Sequence, residues 1–418
     1  MNPFFNHRNN LTLEEHAIAI FFSGQSLNKK GDEQFLFVPQ SNFYYLTGIA
    51  EENCILIMDN SRTNVKTGQT TTLFIPRENG DLAKWVGERM TKDEAEKTSG
   101  ITEISYIDEF DEALETILFR NHIQTVLLDL ERRSISEIQK TNALVLAETI
   151  KNEYPQIAIK DSYPRMAELR LTKDDWEMNS IRTACDITAQ GFLHMMKHAK
   201  ADMMEYELEA YFDFILKSKG VHEKAFPTIV VGGKRACILH YVKNNEQLKN
   251  GELVLVDAGA THNFYSGDVT RTFPINGKFT DRQKDVYNLV LSGQQKVIDK
   301  IAPDVAFSSL NELLKEHYFE GLKKLGLITE KKEVSKYYYH GVSHMLGLET
   351  HDVGNTTGLF LKENMVLTVE PGLYIEEWAI GIRIEDDILV TATGAEVLTK
   401  AVPKSIEDIE NYMNGGTF

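Results

Sequence analysis

At 418 residues the chain is long enough for two domains with large cores, and its 42% apolar and 26% charged residues describe a globular protein. A net charge of -17 argues against nucleic acid and anionic membranes as partners. Cys54, Cys185 and Cys237 show neither metal-type nor redox-type spacing, which points to free buried thiols in a reducing compartment.

The N-terminus, MNPFFNHRNN, lacks the basic-then-apolar pattern of a secretory signal. No apolar run approaches the ~20 residues of a membrane span, so the cytoplasm is the expected location. His16 to Phe22, Cys54 to Met58, Thr71 to Ile75, Gln124 to Leu130 and Gln156 to Ile159 read as strands. Asp108 to Phe119 and Ile135 to Ile150 carry apolar residues at helical spacing. The alternation predicts an α/β domain. Phe43, Tyr44 and Tyr45 read as core or interface rather than a binding platform. A boundary is expected between Lys160 and Thr172, where Pro164 interrupts the pattern and Thr172 with Asp175 forms a capping box.

Beyond it the order helix, helix, strands occurs twice. Helices are expected from near Lys173, Met203, Asp281 and Leu310, capped by Thr172 with Asp175, Asp202 with Glu205, Thr280 with Gln283 and Ser309 with Glu312. Strands are expected at Thr228 to Val231, Leu253 to Val256 and Val269 to Phe273, then at Met365 to Val369, Gly381 to Ile384 and Ile388 to Thr391. This predicts a pseudo-symmetric α+β domain with a site between its halves.

The chemistry gathers in this second half. Asp257 follows a buried strand, and Asp268 lies eleven residues on in the next strand-like run. Two carboxylates converging in a dry place need a cation or a proton. The segment YHGVSHMLGLETHD brings His340, His344 and His351 together; alone, each is more often a satisfied core histidine. Glu370 ends a strand before a Pro-Gly turn. Glu385 sits in a strand with Arg383 two residues earlier on the same face, which for the pair alone means a local ion pair. Oxygen-rich ligands with one imidazole suit Mn, Co, Zn or Mg rather than copper or iron–sulfur. Two such ions can share a water and lower its pKa toward ~7.

From VDAGA and GDVTRTF through HGVSHMLGLETHD and VEPGLYI to GIRIEDD, the chain resembles the pita-bread metallopeptidases, over roughly Thr172 to Met413. SNFYYLTG, Ser41 to Gly48, is similar to the signature of the proline-specific aminopeptidase P branch. Asn42 stands where that branch usually has Asp, and Val38-Pro39-Gln40 replace its usual basic and polar residues. The resemblance implies an α/β N-terminal domain, 1–165, before a pseudo-symmetric α+β pita-bread catalytic domain, 172–418. It implies two divalent ions, Mn first and Co, Zn or Mg as alternatives, on Asp257, Asp268, His344, Glu370 and Glu385. Their bridging hydroxide would cut peptides carrying N-terminal Xaa-Pro, a tertiary amide that strand-reading proteases cannot grip. Glu370 would relay the proton to the proline nitrogen. His240, in the strand-like CILHY, and His351 would stabilise the tetrahedral intermediate and position the proline. His340, Arg383 and Tyr374 would support the site. Asp32, ten residues before Asn42, either occupies an exposed turn or reaches a neighbouring subunit's site in a homodimer or homotetramer. The rival activity is a prolidase, against which SNFYYLTG argues. A methionine aminopeptidase needs no domain of this size before it, a creatinase-like enzyme leaves the ligands unexplained, and inactive pita-bread binding modules lose them.

Overall fold

The computed structural model describes residues 2–61, 70–131 and 140–418. Two compact units divide it, Met1–Leu169 and Arg170–Phe418. The first is built on six strands: β1 (Ala17–Phe22), β2 (Ile55–Asp59), β3 (Thr70–Ile75), β4 (Glu103–Tyr106), β5 (Thr125–Leu128) and β6 (Ala158–Asp161), in the order β4-β3-β2-β1-β5-β6. β1 and β2 are antiparallel, and β5 and β6 run parallel to β1. Helix α1 (Ser41–Thr47) is the SNFYYLT segment; Phe43, Tyr44 and Tyr45 are buried in it. It ends at Gly48, whose φ of 68° and close approach to the Phe4 ring both demand glycine. Helices α2 (Phe110–Arg120) and α3 (Asn142–Glu153) bury Phe110, Leu114, Leu118, Ala143 and Ile150 against Ile18, Ile20, Ile57 and Val126. α3 starts at Asn142 behind a Thr141 cap; the expected start at Ile135 lies outside the described residues. Helix α4 (Tyr163–Leu171) occupies the expected boundary, with Pro164 in its first turn, where a missing N–H costs nothing.

The second unit repeats one plan. Helices α5 (Asp175–His198) and α6 (Glu205–Ser218) precede β7 (Ile229–Gly232), β8 (Leu253–Ala258) and β9 (Val269–Pro274), an antiparallel sheet in the order β9-β8-β7. Helices α7 (Asp281–Lys300) and α8 (Phe307–Lys324) precede β10 (Val366–Val369), β11 (Gly372–Ile375), β12 (Ile380–Arg383), β13 (Asp386–Val390) and β14 (Ala395–Val397). β10-β13-β14 form the second sheet and β11-β12 a hairpin. Thr272 Oγ1 in β9 both donates to Arg383 O and accepts from Arg383 N, and Glu385 N donates to Thr270 O at 2.9 Å, which ties the two halves edge to edge. Phe192, Met195, Phe212, Val256, Phe273, Val290, Val297, Leu314 and Leu367 belong to one buried core.

Three expected caps move. α5 is capped by Asp174 with Glu177, two residues past Thr172, because the two carboxylates satisfy each other's backbone N–H reciprocally. α6 begins at Glu205 behind Met204, not at an Asp202–Glu205 box: Asp202 has a φ of 71°, and the Glu205 carboxylate is drawn inward to Gly232 N, Arg235 and Tyr241. α8 begins at Phe307, and Ser309 Oγ bonds Ala306 O instead of capping. Thr280 with Gln283 caps α7 as expected. Among the described residues no helix is long and apolar enough to cross a membrane. Cys54 and Cys185 are buried and Cys237 half-buried, all as free thiols.

Candidate metal centre

Sheet register brings the acidic residues together. Asp257, within β8, lies opposite Thr270 of β9. Asp268 stands just before β9, two residues from Thr270 and so on the same face. The hairpin can close because residue 259 is glycine: a Cβ there would lie 1.9 Å from Gly267 O. In the second half the β10–β13 ladder ends at Val369↔Asp386, and the β11–β12 ladder resumes at Gly372↔Arg383 in the same register. Glu370 and Glu385 occupy the interruption and face each other across it. Glu385 is thus not inside a strand, as expected, but in the gap between β12 and β13. Two like charges directly opposite destabilise a sheet unless something neutralises them. His344 joins them because its segment runs beside β10: Thr368 N donates to His344 O and Leu346 N to Val366 O.

His344 Nε2 lies 3.5 Å from Asp268 Oδ2, 3.7 Å from Glu370 Oε1 and 4.0 Å from Glu385 Oε1. Its Nδ1–H donates to Met345 O at 3.0 Å, which leaves Nε2 facing the carboxylates. Glu385 Oε2 accepts from Thr270 Oγ1 at 2.7 Å. Asp257 Oδ2 accepts from Arg383 Nη2 at 2.6 Å, while its Oδ1 is buried with no hydrogen-bond partner. Burial, and then the neighbouring carboxylates, hold Asp268 and Glu385 well above the usual carboxylate range; burial also raises Glu370. Two buried carboxylates, Asp268 and Glu385, and two half-buried ones, Asp257 and Glu370, share one guanidinium, so the cluster lacks positive charge. Asp268, His344 and Glu385 present ligand atoms within 4.8 Å of one another. The orphaned Asp257 oxygen and the hard donor set fit divalent cations.

Around this cluster runs a hydrogen-bonded chain. Arg383 donates to Thr270 Oγ1 (3.0 Å), to Tyr374 Oη (3.2 Å) and to Asp257. Its partner is therefore Asp257 in the other half, and the local pair with Glu385 does not form. Tyr374 O–H donates to His340 Nε2 at 2.9 Å, because His340 Nδ1–H is committed to Gly341 O. Burial, then Arg383, pushes His340 down to about 4, so the ring is neutral. His351 is exposed and packs edge-on against His344, ring centroids 4.5 Å apart. CILHY is not a strand: a short 3-10 helix, Gly233–Cys237, runs into a turn holding His240, which is exposed and near enough to contribute slightly to the lowering of His340. Asp32 is exposed in the turn of the hairpin Asn28–Lys30 and Glu33–Gln34, after Gly31.

Three supporting residues escaped sequence reasoning. Thr270 links Arg383 to Glu385. Thr368 Oγ1 accepts from His344 N at 3.2 Å. Asp387, pushed up by burial to about 7, accepts from Asp268 N at 2.9 Å and from the Cys185 thiol at 3.2 Å. Thr270 was findable, since period two puts it on the face of Asp268.

Residues 179–392 match the Metallopeptidase family M24, and residues 4–127 match the Aminopeptidase P, N-terminal domain. The chain is 35% identical to the Xaa-Pro aminopeptidase of Haemophilus influenzae over 425 residues, 96% of this chain and 94% of that one. The structure of aminopeptidase P from Escherichia coli with the inhibitor Pro-Leu superimposes with a TM-score of 0.89 at 31% identity, covering 99% of this chain and 98% of the other. The Xaa-Pro dipeptidase of Rattus norvegicus is 28% identical over 464 residues, 98% of this chain and 91% of its own. The chain therefore belongs to metallopeptidase family M24. Within it, the matched N-terminal domain and the pita-bread catalytic domain put it on the plan of aminopeptidase P.

Proposed function

We propose that this chain releases the N-terminal residue from peptides with proline second, on a dinuclear centre held by Asp257, Asp268, His344, Glu370 and Glu385. It is a metal-dependent aminopeptidase of the Xaa-Pro class. The observation that carries the proposal is the convergence of four buried or half-buried carboxylates and His344, one carboxylate oxygen of Asp257 being left without a partner. When bound, two divalent ions would supply an activated water at neutral pH and polarise the scissile carbonyl; Mn is our choice, with Co, Zn or Mg able to use the same donors.

The chain's own residues do the rest. Glu370 takes the water's proton and passes it to the departing proline nitrogen. His240 and His351, exposed at the cluster's rim, donate to the developing oxyanion and seat the proline ring. Arg383 orients Asp257, and Tyr374 with the neutral His340 holds Arg383 in turn. We further propose a cytoplasmic homodimer or homotetramer with domains 1–165 and 172–418, in which Asp32 reaches the entrance of a neighbouring copy's site.

The 28% identity to a dipeptidase keeps a second reading, cleavage of Xaa-Pro dipeptides alone. One comparison of kcat/KM decides, using Gly-Pro beside Arg-Pro-Pro, with and without chelator. Preference for the tripeptide, abolished by chelation and best restored by Mn, is expected. A preference for the dipeptide moves the assignment, and full activity after confirmed metal loss ends it.

A further inference from the structure

Gln294 is a fully buried amide on α7, on the face that otherwise carries Val286, Val290 and Val297. An apolar residue is the ordinary occupant of such a stripe, so a buried amide calls for partners. Its Nε2 lies 3.1 Å from each of Val369 O, Ile384 O and Asp386 Oδ2, two hydrogens shared among three acceptors, and its Oε1 accepts from Lys404 Nζ at 3.2 Å. Val369 and Ile384 are the residues immediately before Glu370 and Glu385. Their carbonyls flank the interruption between the β10–β13 and β11–β12 ladders, where Ile384 N crosses to Pro371 O. From the other side Arg271, also fully buried, donates Nη1 to Glu385 O at 2.5 Å and to Thr270 O at 3.0 Å, and Nη2 to Asp386 Oδ1 at 2.7 Å.

We propose that Gln294 is a positioning residue that sets the separation of the Glu370 and Glu385 carboxylates, and so the spacing of the two metal ions; this rests on the dinuclear reading above. The amide bridges the two chain segments where the regular ladder between them is interrupted. The peptide groups leading into both glutamates are held from α7, while the carboxylates stay available to cations. Arg271 fixes the far side of Glu385, and Asp386 anchors Gln294 and Arg271 together.

The test uses Gln294→Met, which keeps length but removes the donors, and Gln294→Asn, which keeps an amide one methylene too short. Exposed Gln295→Met is the control. The proteins are stripped of metal and titrated with MnCl2, following stoichiometry, the exchange-coupled EPR signal, kinetics on Arg-Pro-Pro and thermal unfolding of the metal-free form. Both Gln294 variants should bind the second Mn about 10–100-fold more weakly. The coupled signal should shift or vanish. The expected fall in kcat is about 100-fold, with KM within roughly threefold. A filler role would lower the unfolding temperature yet leave stoichiometry and coupling as in the wild type, and that result overturns the proposal. If the Met variant does not fold, the Asn variant carries the same test. A wild type that binds fewer than two Mn defeats the dinuclear reading and the clamp with it; a two-Mn wild type with unaltered variants defeats the clamp alone.

Discussion

Glu385 and Asp386 are chain neighbours, both buried, and their carboxyls shift in opposite directions. Glu385 turns to the cluster of Asp268, Glu370 and Asp257, and burial with those charges raises it. For Asp386 burial pushes the same way, yet Arg271 and Lys404 outweigh it and hold the carboxyl below the usual range. The buried network of Asp352 with Arg170 and Lys173 is of the second kind. Burial of an acid does not mark a functional site; burial without compensation does. The compensated networks are complete as folded, whereas the cluster of Asp257, Asp268, Glu370 and Glu385 has only Arg383 against it and needs further cations or protons.

The comparison breaks most sharply at Asp268. Asp268→Ala should lose at least one metal ion and more than about 1000-fold in kcat, because the activated water depends on both ions; metal content and turnover measured on the same sample check it, and full occupancy with near-normal turnover refutes it. His240→Ala should retain both ions and lose roughly 100–1000-fold in kcat, the cost of one transition-state donor. Metal loss there would make His240 a ligand.

The compensated side predicts stability loss in place of metal loss. Asp352→Asn removes the carboxylate that Lys173 and Arg170 share and leaves Arg170 with Glu349, which should cost about 3–5 kcal/mol at neutral pH while both ions stay bound. The folded carboxyl is depressed, so its contribution is present above the unfolded value of ~4 and is lost as pH falls through the lower folded value. Urea unfolding at pH 7 and at about pH 3 should show the Asn variant far below the wild type at the first and a smaller gap at the second, because pH 3 lies below the unfolded value. An equal gap at both would remove the ionic explanation.

Much of this was legible beforehand. Hydrophobic periodicity placed all the labelled strands of the first unit except β4, and apolar runs ending in acids marked Asp257 and Glu370. Failures cluster where two local solutions compete. Asp174 with Glu177 and Thr172 with Asp175 spell overlapping caps, and only the packed chain selects the first. CILHY reads as a strand by composition, but Cys237 closes a 3-10 helix and His240 turns outward.

The sequence by itself singled out the candidate residues, because a carboxylate beside a buried strand is improbable wherever the strand ends up. The repeated order of helices and strands was equally its own, since periods of 3.6 and 2 are local properties. Tertiary structure decided who meets whom. Arg383 pairs with Asp257, 126 residues away, instead of with Glu385 two residues on. Glu370 faces Glu385 only because two ladders share one register across a break. Gln294 acquires its partners from strands 75 and 90 residues away. Register and helix-to-sheet docking are set by the burial of whole faces, and no local window of sequence contains that information.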